Sequence, residues 1–231
     1  MIKDRMFKIN EKLVYRLMQR IAENIDEPKR LINAELDIQY NNGINTSGRI
    51  VDDLFSISYF FNGNDGLGRN ADNGLFILNT PLVYKDAGVE FQEDIYWFLN
   101  MEYGFDLFEW GNQYGFCFEE SVILFNICHE MGHLKHFIEE HNECGYYKSY
   151  KEDREEEEKL KYLRDEEEIF IRYRRMLCEV KADKYGIEFL KEYGEFMKNL
   201  VNKGMLTECI TEEEVSDIVF NHMTEGLENI F

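Results

Sequence analysis

The sequence predicts an α+β fold, mainly helical, with a small mixed or antiparallel sheet packed against one central helix. Three observations carry this. Apolar residues recur near the helical period of 3.6 over residues 11–25, 119–143 and from 169 to about 193. Between about 34 and 80, glycine and asparagine cluster (NNGINTSG, FNGNDGLGRNADNG) around apolar runs at 54–61 and 74–79, as in strands joined by long turns. The run Ile127-Cys128-His129-Glu130-Met131-Gly132-His133 writes HExxH into the middle helical segment. At 231 residues the chain suits one generous domain over 1–231. Its expected parts are an N-terminal helix and small sheet (1–118), metal-binding helices (119–195) and a C-terminal helical segment (196–231).

In chain order, Leu13, Leu17, Ile21 and Ile25 step by four along an amphipathic helix that Pro28 closes. The glycine-rich stretch GLGRNADNG lacks the residues of a phosphate cradle and is expected to be loop. Residues 90–116 hold ten aromatics, expected as core and helix packing, with a substrate-cleft floor as the other reading. The central helix is expected over 119–143, with Gly145 as its stop signal. Residues 151–168 (KEDREEEEKLKYLRDEEE) are charge-dense. The pairs Glu155–Lys159 and Glu157–Lys161 favour a solvated helix over an acidic disordered lid, and neither calls for chemistry there. Residues 205–231 are expected to be helical.

Composition narrows the function classes. With 44% hydrophobic and 15% aromatic residues the chain can bury a core and is not disordered. A net charge of −20 repels phosphate backbones and anionic lipid, so no nucleic-acid and no membrane partner is expected. Five scattered cysteines without a CxxC pair indicate reduced thiols, and Cys128, beside His129, is expected to be a core thiol. The N-terminus has no continuous apolar segment of a signal peptide, and no stretch is long enough to cross a bilayer. A cytoplasmic protein is expected.

The chemistry lies in HExxH. Residues four apart on a helix share a face, so His129 and His133 present two imidazoles to one Zn2+, and Glu130 projects beside them as a general base. Downstream, Met176-Leu177-Cys178-Glu179-Val180-Lys181-Ala182-Asp183-Lys184-Tyr185-Gly186 places Glu179 and Asp183 four apart. Glu179 fits as third metal ligand. Asp183, one turn on, fits behind a histidine as acceptor of its second N–H. Ala182 and Gly186 are small enough to let this helix approach the first.

HExxH followed by a helix reading ExxAD resembles the gluzincin group of zinc peptidases. EVKADKYG is similar to the Lit-type phage-exclusion peptidases and, more distantly, to the HtpX-like peptidases, which carry transmembrane helices. The resemblance covers about residues 119–190 and implies a zincin-like domain. It implies His129, His133 and Glu179 as ligands, Glu130 as base and Asp183 behind a histidine. The metzincin pattern fails, because His136 and Glu139 stand where it needs glycine and histidine. An ImmA/IrrE-type layout stays open, and no second ExxH supports a di-iron bundle. His136 is expected at the surface or at the cleft edge. His222, Tyr185 and Tyr193 all remain candidates to stabilise the oxyanion.

The expected function is zinc-dependent hydrolysis of a peptide bond in an intracellular protein or peptide, as a bacterial defence or regulatory protease. The expected substrate strand lies at 74–79. The alternative is a non-catalytic zinc-binding interaction protein on the same scaffold, against which Glu130 speaks.

Overall fold

The structure, a computed structural model, describes the backbone of residues 6–25, 32–42, 55–63, 75–81, 83–85, 89–144, 148–204, 206–210 and 214. Its helices are α1 (Glu11–Ile25), α2 (Val89–Tyr103), α3 (Leu107–Tyr114), α4 (Phe118–Cys144), α5 (Lys148–Leu160), α6 (Glu166–Arg174) and α7 (Leu177–Val201). Extended segments are β1 (Met6–Ile9), β2 (Ile32–Asn42), β3 (Phe55–Gly63), β4 (Leu75–Pro81), β5 (Val83–Lys85) and β6 (Thr207–Ile210).

The expected α+β class is corrected. The body of the fold is 84% helical and has no strand or sheet in it. The extended backbone forms two antiparallel ladders of order β5-β1-β6 and β2-β3-β4, and Ile9, the one strand residue whose side chain is described, ends β1 buried against the helices. No side chain of β2, β3 or β4 is among the described ones. The physical reason is the character of α4. Ser121 to Phe125, Ile127 and Cys128 are all buried, so this stretch is covered nearly all round. The described side chains that cover it come from α1, α2, α3 and α7, so helices do what the sheet was expected to do. The backbone of β4 also runs near α4, at the edge of its ladder, where the substrate strand is expected.

The core forms where the helical faces meet. Leu13, Leu17 and Ile21 of α1 are buried as their spacing requires, and Ile25 packs at the margin. Of the ten aromatics in 90–116, Phe98, Phe105, Trp110 and Phe116 are buried, Tyr96, Tyr103 and Tyr114 pack against the core, and Trp97 and Phe108 are exposed. Trp110 also donates from Nε1 to the Leu190 carbonyl oxygen at 3.2 Å, tying α3 to α7. Cys117 opens α4 as a reciprocal cap: its N–H donates to Glu120 Oε2 at 3.0 Å, and Glu120 N–H lies 3.5 Å from its sulfur.

Two further expectations change. The acidic stretch is helical as α5 only to Leu160, and the pattern from 169 onward is two helices, broken at Arg175 and Met176. No glycine or proline marks that break. A distant carboxylate sets it: Asp153 of α5 accepts the leading N–H groups of α7, Leu177 N at 3.1 Å and Cys178 N at 2.6 Å. Residues 207–210 are extended as β6, paired with β1, where helix is expected. Gly145 and most of 211–231 lie outside the described residues. Among the described residues no helix is long and apolar enough to cross a membrane.

Candidate metal centre

The site lies where α4 and α7 cross at backbone contact. A Cβ on Gly132 would stand 2.4 Å from the Ala182 carbonyl oxygen, and one on Gly186 would stand 3.1 Å from the His129 nitrogen. Glycine at 132 and 186 and alanine at 182 are therefore what let the two helices touch. That contact brings the first turn of α7, with Glu179, against the middle of α4.

The crossing sets four donor atoms together. His129 Nε2 and His133 Nε2 are 3.1 Å apart, with the rings edge to face at 83°. Glu179 Oε2 is 3.3 Å from His129 Nε2, and Glu179 Oε1 is 3.4 Å from His133 Nε2. The ligand atoms of His129, Glu130 and His133 all lie within 4.8 Å of one another, so these residues could hold a metal ion. Behind the first ring, His129 Nδ1 is 2.9 Å from Asp183 Oδ1. A carboxylate only accepts, so this contact selects the tautomer with the proton on Nδ1 and leaves the Nε2 lone pair facing the cluster.

Burial makes this arrangement informative. His129 and Glu179 are nearly buried, Asp183 is wholly so, and Glu179 Oε2 makes no hydrogen bond of good geometry. Desolvation would raise the Glu179 carboxyl, but the facing imidazoles of His133 and His129 hold it well below the usual carboxylate range. Burial and the Arg174 charge press the His129 imidazole down. Its hydrogen bonds to Asp183 and Glu179 outweigh them and push it up to about 9. With no cation between them, the rings and the carboxylate are thus driven to share a proton. Tetrahedral zinc bonds of about 2.0–2.2 Å set ligand atoms roughly 3.3–3.6 Å apart, close to the spacings observed here. A proton satisfies two of these lone pairs; a divalent cation satisfies all of them. The residues present fit the metal.

Sequence reasoning missed three residues at this crossing. Arg174, buried at the end of α6, donates from Nη2 to Asp183 Oδ1 and sets Nη1 3.6 Å from Glu179 Oε2. Tyr103 of α2 donates to Asp183 Oδ2 at 3.3 Å, and its phenol is pushed up, first by burial and then by that carboxylate. Tyr173, whose side chain is partly exposed, feels the Glu179 charge first of all, and that charge holds its phenol well above its ordinary value. Arg172 and Arg175 flank Arg174 in sequence and are exposed, so nothing local singles Arg174 out. Tyr103 belongs to an aromatic-rich stretch where it looks like any core residue.

The remaining candidates separate. Tyr193 is occupied on α1, its hydroxyl 2.9 Å from Asn24 Nδ2, and Tyr185 donates to Glu139. His222 lies outside the described residues. His136 is not at the surface. It is buried, with Nε2 3.4 Å from Ser149 Oγ and 3.6 Å from Glu140 Oε1, where the start of α5 packs over α4. Cys128 is buried core, and burial pushes its thiol well up, which disarms it as a ligand.

No protein-family model matches this sequence, and neither a curated protein nor a solved structure matches it.

Proposed function

We propose that this chain is a metal-dependent hydrolase, and specifically a zinc-dependent peptidase acting on a protein or peptide in the cytoplasm. One observation carries the reading: two imidazole nitrogens and both oxygens of a buried carboxylate converge at 3.1–3.4 Å, with a second carboxylate within 4.8 Å of the imidazoles. The resemblance of HExxH and ExxAD to the Lit-type gluzincins points the same way.

The two carboxylates divide the work by environment. Glu179 is buried and poorly hydrogen-bonded at Oε2, which suits a ligand. Glu130 is half-buried, so water reaches it, which suits a base. His129, His133 and Glu179 would hold zinc, which supplies Lewis-acid polarisation of the scissile carbonyl and makes water a usable nucleophile near neutral pH. Glu130 takes the proton from the attacking water on a carboxylate oxygen and passes it to the leaving amine. Asp183 holds the Nδ1 proton of His129 and keeps that ring oriented.

The test separates base from ligand. Glu130→Gln keeps size and helix but cannot accept the proton, so turnover of a protein substrate falls by about 10²–10⁴-fold while zinc content stays at one per chain. Full activity in Glu130→Gln removes the proposed base. Unchanged cleavage in chelator removes the metal.

A further inference from the structure

Arg174 is an expensive residue to bury. It is 7% exposed, its Nε has no hydrogen-bond partner, and its guanidinium carbon sits 5.8 Å from the centre of the Phe98 ring. Arginine stays charged at any pH at which a protein is folded, and an uncompensated buried charge is strongly destabilising. Its compensation is on α7: Nη2 donates to Asp183 Oδ1, and Nη1 lies 3.6 Å from Glu179 Oε2. Those carboxylates, 0% and 6% exposed, have the converse need, because two buried negative charges call for more positive charge than the single proton shared with the rings.

Two cations can answer that need, and they face the same atoms. Glu179 Oε2 lies between Arg174 Nη1 at 3.6 Å and His129 Nε2 at 3.3 Å, and Asp183 Oδ1 lies between Arg174 Nη2 and His129 Nδ1. A metal ion on the histidine side and the guanidinium on the other share one pair of counter-charges. Each makes the other less necessary, and they repel.

We propose that Arg174 is an internal counter-ion that competes electrostatically with the metal. It keeps Glu179 and Asp183 at the α4–α7 crossing in the metal-free fold, and it loosens the hold of the site on its ion. The second half rests on the metal-peptidase reading; the first does not. The consequence is a site that empties and refills without unfolding, so its loading follows the free concentration of the cation. Arg174 is a positioning residue, since it reaches the reacting atoms only through Glu179 and Asp183.

The experiment uses the full chain with Arg174→Met, Arg174→Lys, Asp183→Asn and the Arg174→Met/Asp183→Asn double variant. Melting is followed in chelator, and zinc affinity by competition with a chromophoric chelator. In chelator, Arg174→Met melts about 6–20 °C below wild type. That loss shrinks by half or more in the Asp183→Asn background, because one of the two charges it strands is gone. Arg174→Met binds zinc about tenfold more tightly than wild type, the reciprocal of the lost competition. Arg174→Lys keeps the charge and stays within about threefold of wild-type affinity, and it decides the matter if Arg174→Met does not fold without metal. Equal or weaker zinc binding by Arg174→Met overturns the competition. So does an Arg174→Lys that behaves like Arg174→Met, and an equal melting loss in both backgrounds overturns the counter-ion. If wild type binds no zinc, the peptidase reading fails on its own, and the melts in chelator still decide what Arg174 does.

Discussion

Asp183 is the residue on which this site turns. It is fully buried, and its two oxygens take His129 Nδ1 at 2.9 Å, the Arg174 guanidinium and the Tyr103 hydroxyl at 3.3 Å. A carboxylate with three donors is satisfied, so its negative charge is cheap to keep there. Asp183→Asn keeps the shape and loses the charge. An amide presents only one accepting oxygen, so either the ring or the guanidinium loses its partner. Zinc affinity is expected to fall about 10–100-fold, read by chelator competition, with the helical circular dichroism unchanged. That sign is opposite to the one expected for Arg174→Met, although both substitutions break the same ion pair. A site in which Asp183 merely braced the fold would show both variants weakening the metal together. Tyr103 is the lesser partner: a neutral phenol at 3.3 Å in a three-donor arrangement contributes less than a charged one at closer range.

At the scale of the elements, the site exists because α4 and α7 touch, and the touching depends on residues with almost no side chain. Gly132→Ala puts a methyl group 2.4 Å from the Ala182 carbonyl oxygen and 2.9 Å from its Cα, and neither atom is a movable side-chain end. The helices must spread. The cost is about 1–3 kcal/mol, which in a chain of this size lowers the melting temperature by roughly 2–12 °C. Spreading carries Glu179 away from the rings, so zinc affinity falls with it. A Gly132→Ala protein of wild-type stability and affinity shows that the crossing has slack. These elements were unevenly legible. α1 and α4 could be read because their apolar spacing is local and long, and HExxH because a four-residue step on a helix needs no tertiary information. Glu179 and Asp183 could be paired for the same reason. The break between α6 and α7 could not, since its cause is Asp153, 24 residues before Leu177. The expected sheet failed for a related reason. Apolar runs between glycine clusters look like a sheet built into the core, but α4 is covered by helices whose contacts no short window reveals.

For the whole molecule, the question is whether the fold needs its ion. The largest fully buried side chains include Phe125 and Phe137 of α4, Leu17, Met18 and Ile21 of α1, and Leu99 of α2. These pack helix against helix, Ile9 at the end of β1 joins them, and none touches the donor cluster through a polar atom. Each large apolar side chain so buried contributes about 1.5–3 kcal/mol, which assembles the helices without help from a metal. Against that stands a net charge of −20, whose self-repulsion opposes compaction and which a bound dication eases slightly. Small zinc domains have the reverse balance, too little core and a metal that supplies the folding energy. The chelated protein is therefore expected to keep its helical circular dichroism and to melt cooperatively. Adding zinc to about 1,000 times its Kd stabilises by about 4 kcal/mol, a rise of roughly 8–16 °C. If the chelated chain instead loses its helical signal at room temperature, the α1–α4–α7 core does not stand by itself. The crossing of α4 and α7 is then made by the ion rather than waiting for it.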